Sequence, residues 1–136
     1  MKKIALYLIL AIVIVGVSLG LYFFNQKVPG LDDVEPDYRL TANELFDSFE
    51  QNEKESLTKF EGKVIEVSGE VSQVNESDTT LTVVLTVENA MIGGVNCSFQ
   101  NVATKLTKGE LVTIKGRCQG YLMNVILTNC TLTNDQ

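Results

Sequence analysis

The longest hydrophobic run in the chain begins at Ile4 and ends at Phe24, and none of its twenty-one residues is charged. At about 1.5 Å of rise per residue, a helix of this length covers a hydrocarbon core of about 30 Å. A cleaved signal peptide is the alternative, but its apolar region has about 7 to 15 residues and is followed by small residues. This run is longer and ends in Leu-Tyr-Phe-Phe. The pattern therefore favours an uncleaved anchor in the lipid bilayer.

The charges that flank this run predict its orientation. Lys2 and Lys3 precede it, whereas Lys27 is the only basic residue shortly after it and several acidic residues follow. Because basic residues stay on the cytoplasmic side, we expect a cytoplasmic N-terminus and an extracytoplasmic C-terminal domain. In a Gram-negative cell this is an inner-membrane protein whose domain faces the periplasm.

A short acidic stretch separates the hydrophobic run from the rest of the chain. Residues 28–40 contain Pro29, Gly30 and Pro36 among acidic residues, with few apolar ones. Such a composition is typical of a linker that spaces a domain from the headgroups. The predicted organisation is an anchor with its flanks at 1–27, an acidic linker at 28–40 and a folded domain at 41–136.

The domain is predicted to begin with a short helix. A T-x-x-E pattern starts at Thr41 and is typical of a capping box, in which side chains satisfy the first backbone N–H groups. Phe46 and Phe49 then recur at helical spacing. We expect a helix over 42–51 and a second helical turn near 53–58, with the aromatic side chains packed against a sheet.

From Gly62 onwards the apolar positions recur with a period of two, which indicates β-strands. The first strand is long and contains Gly69, where a bulge or bend is expected. Turn residues separate the others, and Gly120 is expected to form the last turn. Five short strands with glycine corners predict a small closed barrel, because closure removes exposed edges. The predicted strands are 63–75, 80–87, 95–100, 112–119 and 122–132.

Charge and composition restrict the function. The 136-residue chain has a net charge of −6, and the part beyond Lys27 has eight basic against seventeen acidic residues. A net charge of −9 on this part disfavours binding to nucleic acid. The chain has no histidine, which removes most general-base and metal designs. We therefore expect no catalytic residue, metal site or cofactor. Glu66 and Glu70 could face each other as a pair of carboxylates only if the bulge allows it, so they are weak evidence for a catalytic site.

Five segments of the domain form a recognisable pattern: TANEL at 41–45, KFEGKVIEVSGEV at 59–71, GVNCSF at 94–99, KGELVTIKGRCQG at 108–120 and VILTNCTL at 125–132. Together they resemble the tRNA anti-codon-like family of OB-fold domains. The similarity covers roughly residues 41–132. It implies a mainly β fold, a five-stranded OB-fold Greek-key barrel preceded by a short helix. The family name implies nucleic-acid binding, but a fold does not decide the ligand.

OB barrels in general bind ligands on strands two and three, between the loops joining strands one to two and four to five. A nucleic-acid face of this kind needs stacking aromatic side chains and a basic track. Here Tyr121 is the one evident aromatic, and Lys115 and Arg117 are two cations on an acidic background. Ordinary solvated strand residues are the alternative to a binding site. The candidate ligand-binding residues are Thr82, Asn96, Ser98, Lys115, Arg117 and Tyr121.

The three cysteines, Cys97, Cys118 and Cys130, are all expected to face inward, where free thiols pack as small hydrophobes. An oxidising compartment permits a disulfide. Cys118 and Cys130 would lie too far apart across a hairpin at Gly120. Strands three and five are neighbours in an OB barrel, so Cys97–Cys130 is the better pair. Free thiols remain the default.

These observations lead to two hypotheses for function. The first is a non-enzymatic, membrane-anchored OB-fold binding module outside the cytoplasm, with an envelope protein as its partner. The alternative is a membrane-tethered domain that binds single-stranded nucleic acid. The sequence indicates neither the ligand's identity nor an oligomeric state.

Overall fold

The computed structural model describes residues 1–25, 30–100 and 104–133. Lys27, the first two residues of the predicted linker and residues 134–136 lie outside the described residues. Within these described ranges, three helices and six strands follow one another. They are α1 (Lys2–Phe24), β1 (Tyr38–Thr41), α2 (Ala42–Gln51), α3 (Glu53–Phe60), β2 (Val64–Glu76), β3 (Leu81–Leu85), β4 (Val95–Phe99), β5 (Leu111–Leu122) and β6 (Asn124–Leu132).

Helix α1 contains the hydrophobic run of the sequence. It has a mean hydropathy of 2.8 and buries none of its residues inside the protein. A helix this apolar with no internal partner is long enough to cross a membrane. The predicted helix at the N-terminus is confirmed.

Strands β2 to β6 form a closed five-stranded barrel, as predicted for an OB fold. Strand β2 is long enough to pair with two neighbours: its first half pairs antiparallel with β5 and its second half with β3. Strand β4 pairs with β3 and, in parallel, with β6, and β6 pairs with β5 to complete the ring. The register of β2 shifts between Val71 and Gln73, two residues beyond the bend expected at Gly69. Gly69 instead allows the start of the following helix, α2, to approach β2 closely, because a Cβ atom at position 69 would lie 3.0 Å from the Cβ atom of Ala42.

Part of the segment predicted as a linker, residues 31–40, has contacts with the barrel. Tyr38–Thr41 forms strand β1, which pairs in parallel with β2. Before it, Leu31 is only 3% exposed. Asp37 donates its N–H to the Val64 carbonyl (2.8 Å) and accepts the Val64 N–H on its carboxylate (2.9 Å). This acidic stretch is therefore attached to the barrel through Asp37 and has a buried leucine, and we call residues 31–37 the strap. The division into three domains stays a prediction.

Helices α2 and α3 close one end of the barrel. The capping box is present: Glu44 donates its N–H to the Thr41 hydroxyl (3.2 Å), and the Thr41 N–H reaches the Glu44 carboxylate (2.8 Å). Three phenylalanine side chains from these helices are at most 1% exposed. Their rings contact Tyr121 of β5 and Tyr38 of β1, and burial of such side chains is the main stabilising term of a small domain. These residues are Phe46, Phe49 and Phe60.

The last hairpin differs from the prediction. Gly120 lies inside β5, with φ of +139°, and its lack of a side chain leaves room for Leu57, 3.4 Å from the Cβ position. The chain turns at Met123 instead. The turn is displaced because β5 continues past the glycine to pack beneath the helices.

Candidate ligand-binding face

The outward side chains of β3 and β4 lie together on one side of the barrel, with contributions from β2 and β6. Thr82 is directly opposite Ser98, and Val84 is opposite Asn96. The pair Val84–Asn96 is extended on both sides, because Gln73 on β2 lies opposite Val84 and Ile126 on β6 lies opposite Asn96. We call this surface the open face; its residues are Gln73, Asn75, Thr82, Val84, Asn96, Ser98 and Ile126.

The open face carries no charged and no aromatic side chain. It presents amides and hydroxyls beside the two aliphatic side chains of Val84 and Ile126. Gln73 donates from its amide to the Asn75 side chain (3.1 Å), and the Ser72 hydroxyl donates to the Val84 carbonyl (3.0 Å). Such a surface suits neutral hydrogen-bonding partners, whereas a single-stranded nucleic acid needs stacking and cations.

The structure brings together three of the predicted site residues, Thr82, Asn96 and Ser98. Val84 was missed although the alternation of β3 identifies it, since the residues on either side of it are buried. Gln73 could not be placed from the pattern, because the register shift before it reverses the parity of the strand.

Two turns bound the open face at opposite ends of β4. The β2–β3 hairpin lies at the end where Leu81 pairs with Phe99. The β5–β6 turn lies at the other end, where Val95 pairs with Val125. At about 3.4 Å per residue, five residues of β4 separate these ends by about 14 to 17 Å.

Lys115 is not on the open face, contrary to the prediction. Strand β6 separates β5 from β4, and the Lys115 side chain is only 8% exposed. Its ammonium donates to the Asp32 carbonyl (3.1 Å). Thr131 donates its hydroxyl to the Asp32 carboxylate. The strap therefore covers Lys115. The alternation of residues along β5 predicts only that Lys115 points outward, and it could not predict that the strap covers it.

Arg117 also lies away from the open face. It is opposite Val64 on β2 and Thr128 on β6. Its guanidinium is exposed and donates to the Gly62 carbonyl (2.8 Å). The two predicted cations therefore form no basic track along the open face.

Tyr121 belongs to the helix-capped end of the barrel. Its ring stacks on Phe49, with centroids 5.5 Å apart and an angle of 14°, and contacts the edge of Phe46 at 5.9 Å. Burial raises the pKa of the Tyr121 hydroxyl, and the charges of Glu50 and Glu53 raise it further. The ring is thus half-buried in the aromatic cluster and is not presented for base stacking, in contrast to the prediction.

The three cysteines are buried free thiols, as the default expectation had it. Cys97 and Cys130 are hydrogen-bonded to each other, and this contact, followed by burial, raises the pKa of the Cys97 thiol well above its usual value. Gly116 leaves room for the Cys130 sulfur, which lies 2.7 Å from the Cβ position of that glycine. The two thiols are thus neighbours, and a Cys97–Cys130 disulfide stays a prediction.

Among the described residues no group of three or more His, Cys, Asp or Glu side chains is arranged to hold a metal ion. Of the two carboxylates considered as a pair, Glu66 forms an ion pair with Arg39 (Nε–Oε1 3.1 Å). Glu66 is therefore partnered by a cation on the neighbouring strand.

Comparisons with known proteins give a family and a shared fold. The family model tRNA_anti-like matches residues 1–132. A search of curated proteins found no match. Seven chains of solved structures match.

Two of these structures illustrate the range of similarity. One is the crystal structure of a "putative nucleic acid-binding lipoprotein" from Klebsiella pneumoniae: TM-score 0.62, 18% identity, covering 79% of this chain and 100% of that chain. Another is OBody AM3L09 bound to hen egg-white lysozyme: TM-score 0.41, 15% identity, covering 57% of this chain and 88% of that chain. At such identities the first similarity shows the fold alone.

Proposed function

The chain belongs to the tRNA_anti-like family, and we propose that it is a membrane-anchored, non-enzymatic OB-fold module that binds another component of the cell envelope. The observation that carries the proposal is the open face, an uncharged surface on an acidic domain that follows a helix long and apolar enough to span a membrane. An OB barrel supplies a rigid platform for such a surface. No catalytic step, cofactor or metal is part of the proposal.

The strap keeps the barrel close to the membrane if α1 is retained. Helix α1 ends at Phe24, and Leu31 is already buried against the barrel. A chain of seven residue steps spans at most about 25 Å. The barrel would therefore meet partners that lie in the membrane or next to it, such as envelope proteins.

The charges that flank the uncharged run support a partner outside the cytoplasm. Lys2 and Lys3 form the N-terminal end of α1, and the acidic strap follows the helix. A reporter fused to the C-terminus, alkaline phosphatase in one fusion and green fluorescent protein in another, tests this topology. We expect phosphatase activity and no fluorescence. The reverse result places the domain in the cytoplasm and contradicts the proposal.

A matched control uses the flanking charges. Exchanging them with Lys2→Glu and Lys3→Glu on one side and Asp33→Lys and Glu35→Lys on the other should shift part of the population to the reverse orientation. Both acidic positions are exposed, so the substitutions leave the barrel intact.

Single-stranded nucleic acid is the second candidate ligand. The family name and the description of the Klebsiella lipoprotein favour it. The open face, which has neither cation nor aromatic ring, argues against it. Fluorescence anisotropy of a labelled 20-nucleotide strand, titrated with the full chain in neutral-lipid nanodiscs, should show no binding below about 100 µM at physiological salt. Micromolar binding that weakens with salt, and also with Arg117→Ala or Tyr121→Ala, would reverse the ranking.

A further inference from the structure

Four large apolar side chains are exposed at the helix-capped end of the barrel. Met91 and Ile92 lie in the β3–β4 loop and are 100% and 72% exposed; Leu122 and Met123 form the β5–β6 turn and are 77% and 62% exposed. We call these four residues the end patch. Exposed apolar side chains are ordinary when scattered, but a contiguous group marks an interaction site.

The two halves of the end patch are neighbours. The backbone of Gly93 lies against the Met123 carbonyl so closely that a side chain at position 93 would overlap with it. Val125 donates its N–H to the Gly94 carbonyl (3.0 Å). The loop that carries Met91 and Ile92 is thus joined to the turn that carries Leu122, and the four side chains adjoin the open face where β4 and β6 begin.

Local backbone geometry holds the end patch in place. Met123 has a φ of +62° and Asn89 a φ of +67°, conformations that cost a non-glycine residue about 1 kcal/mol or more. The Glu88 N–H donates to the Asn43 side chain on α2 (2.8 Å), which fixes the loop to the cap. The backbone that carries the patch therefore loses little conformational entropy when a partner binds, and the entropy cost lies in its exposed side chains.

Acidic residues border the end patch. Asn43, Asp47 and Glu50 lie on one side of α2, because residues three and four apart share a helix face. The Asn43 end of this side contacts the loop, and the Glu50 end follows Phe49, whose ring stacks on Tyr121, the residue before Leu122. Helix α2 has no Lys or Arg, nor do residues 86–94 and 119–125.

We propose that the end patch docks a segment of a partner protein in which apolar side chains are flanked by Lys or Arg. The apolar side chains would cover Ile92 and Leu122, and the basic residues would meet Asp47 and Glu50. Charge complementarity selects this partner. An anionic bilayer or a nucleic acid brings negative charge to an acidic rim, and a second copy of this chain brings the same acids face to face. The proposal rests on the proposed function and names the partner's chemistry.

The test is a selection on the full chain held in nanodiscs of zwitterionic phosphatidylcholine. Random twelve-residue peptides displayed on phage are selected against these discs, after removal of those that bind empty discs. Enriched peptides are then synthesised, labelled and titrated by anisotropy against four chains: the original, Ile92→Ser with Leu122→Ser, Asp47→Lys with Glu50→Lys, and Leu111→Ser.

Leu111→Ser is the matched control. Leu111 is 80% exposed and lies on the same strand as Leu122, at the opposite end. We expect enriched peptides that combine apolar residues with Lys or Arg. Their Kd should rise at least about tenfold in the patch variant and in the charge variant, as for the central residues of an interface, and change less than about twofold with Leu111→Ser.

Several results would overturn the proposal: no enriched peptide, enriched peptides without basic residues, or a patch variant that binds as tightly as the original. Patch-dependent dimers of the chain, or patch-dependent insertion into anionic discs, would assign the surface to those occupants instead. None of these results would change the membrane topology that the reporter fusions measure. A cytoplasmic domain, conversely, would refute the proposed function while leaving the peptide result standing, so the two failures are distinguishable.

Discussion

Two sides of the same barrel have opposite properties. The side formed by β5 and the first half of β2 carries the charged residues, including Lys115 and Glu66, and the strap and β1 lie against it. The open face, formed by β3, β4 and parts of β2 and β6, is uncharged, and no described segment of the chain covers it. The comparison shows that this chain uses Lys115 for its own packing and leaves a neutral surface exposed, which is the surface that the proposed function assigns to recognition.

The difference arises from tertiary structure. Burial alternates along β3, whereas on β5 the outward residue Lys115 is buried like the inward residues on either side of it. An outward residue on β5 is covered because a distant segment returns over it. An outward residue on β3 stays accessible. Each prediction below tests this contrast, beginning with the largest effect.

The first prediction concerns the attachment of the strap. Leu31→Ala should lower the free energy of unfolding by about 2 to 3 kcal/mol, because it leaves a cavity where a buried leucine packs. Val34→Ala, in the same segment but 40% exposed, should cost less than about 0.5 kcal/mol. Denaturant unfolding of the full chain in detergent micelles measures both. Equal costs would mean that the strap does not pack on the barrel.

The second prediction compares the two cations of β5. Lys115→Met removes the charged hydrogen bond to the strap and should favour local opening by about 1 kcal/mol, which is about fivefold faster amide exchange in residues 31–37. Arg117→Met should leave exchange in the strap unchanged, since Arg117 contacts Gly62 instead. Hydrogen–deuterium exchange with mass spectrometry provides the readout. If Lys115→Met and Arg117→Met change amide exchange in the strap by the same factor, Lys115 does not hold the strap.

The third prediction concerns the open face. Thr82→Ala and Ser98→Ala should each change the free energy of unfolding by less than about 0.5 kcal/mol, because half-exposed hydroxyls contribute little to stability. A loss above about 1 kcal/mol in the same denaturant experiment would show that these side chains serve the fold rather than recognition.

The smallest predicted effect concerns Tyr121 at alkaline pH. Its pKa is raised in the folded chain, so its stabilising contribution is complete below the unfolded pKa of about 10 and is lost as the pH rises through the folded value. Between pH 9 and pH 11.5 the original chain should therefore lose more stability than Tyr121→Phe. Identical losses would show that the ring is not held in the aromatic cluster.

Much of the fold could be predicted because local signals were strong. The uncharged run identified α1, the T-x-x-E pattern identified the start of α2, and the period of two located the barrel strands. Strand β1 could not be predicted, since four residues after an acidic stretch gain their structure only from pairing with β2. The turn at Met123 was missed because a glycine fits a turn locally, whereas Gly120 adopts its φ of +139° inside β5.

The candidate site was predicted only in part. Thr82, Asn96 and Ser98 follow directly from strand parity. The positions of Lys115 and Tyr121 were predicted wrongly for the same reason. Strand parity predicts that a side chain points away from the barrel axis, but it does not predict which segment of the chain covers that side chain. The strap over Lys115 and the aromatic ring of Phe49 beside Tyr121 come from residues more than seventy positions away in the sequence.

The account depends on a barrel that remains attached to the bilayer. Intact-mass measurement of the protein extracted from native membranes tests this most directly. We predict a mass that includes residues 1–24, in the membrane fraction only. A freely soluble species that begins after Phe24 would contradict the account.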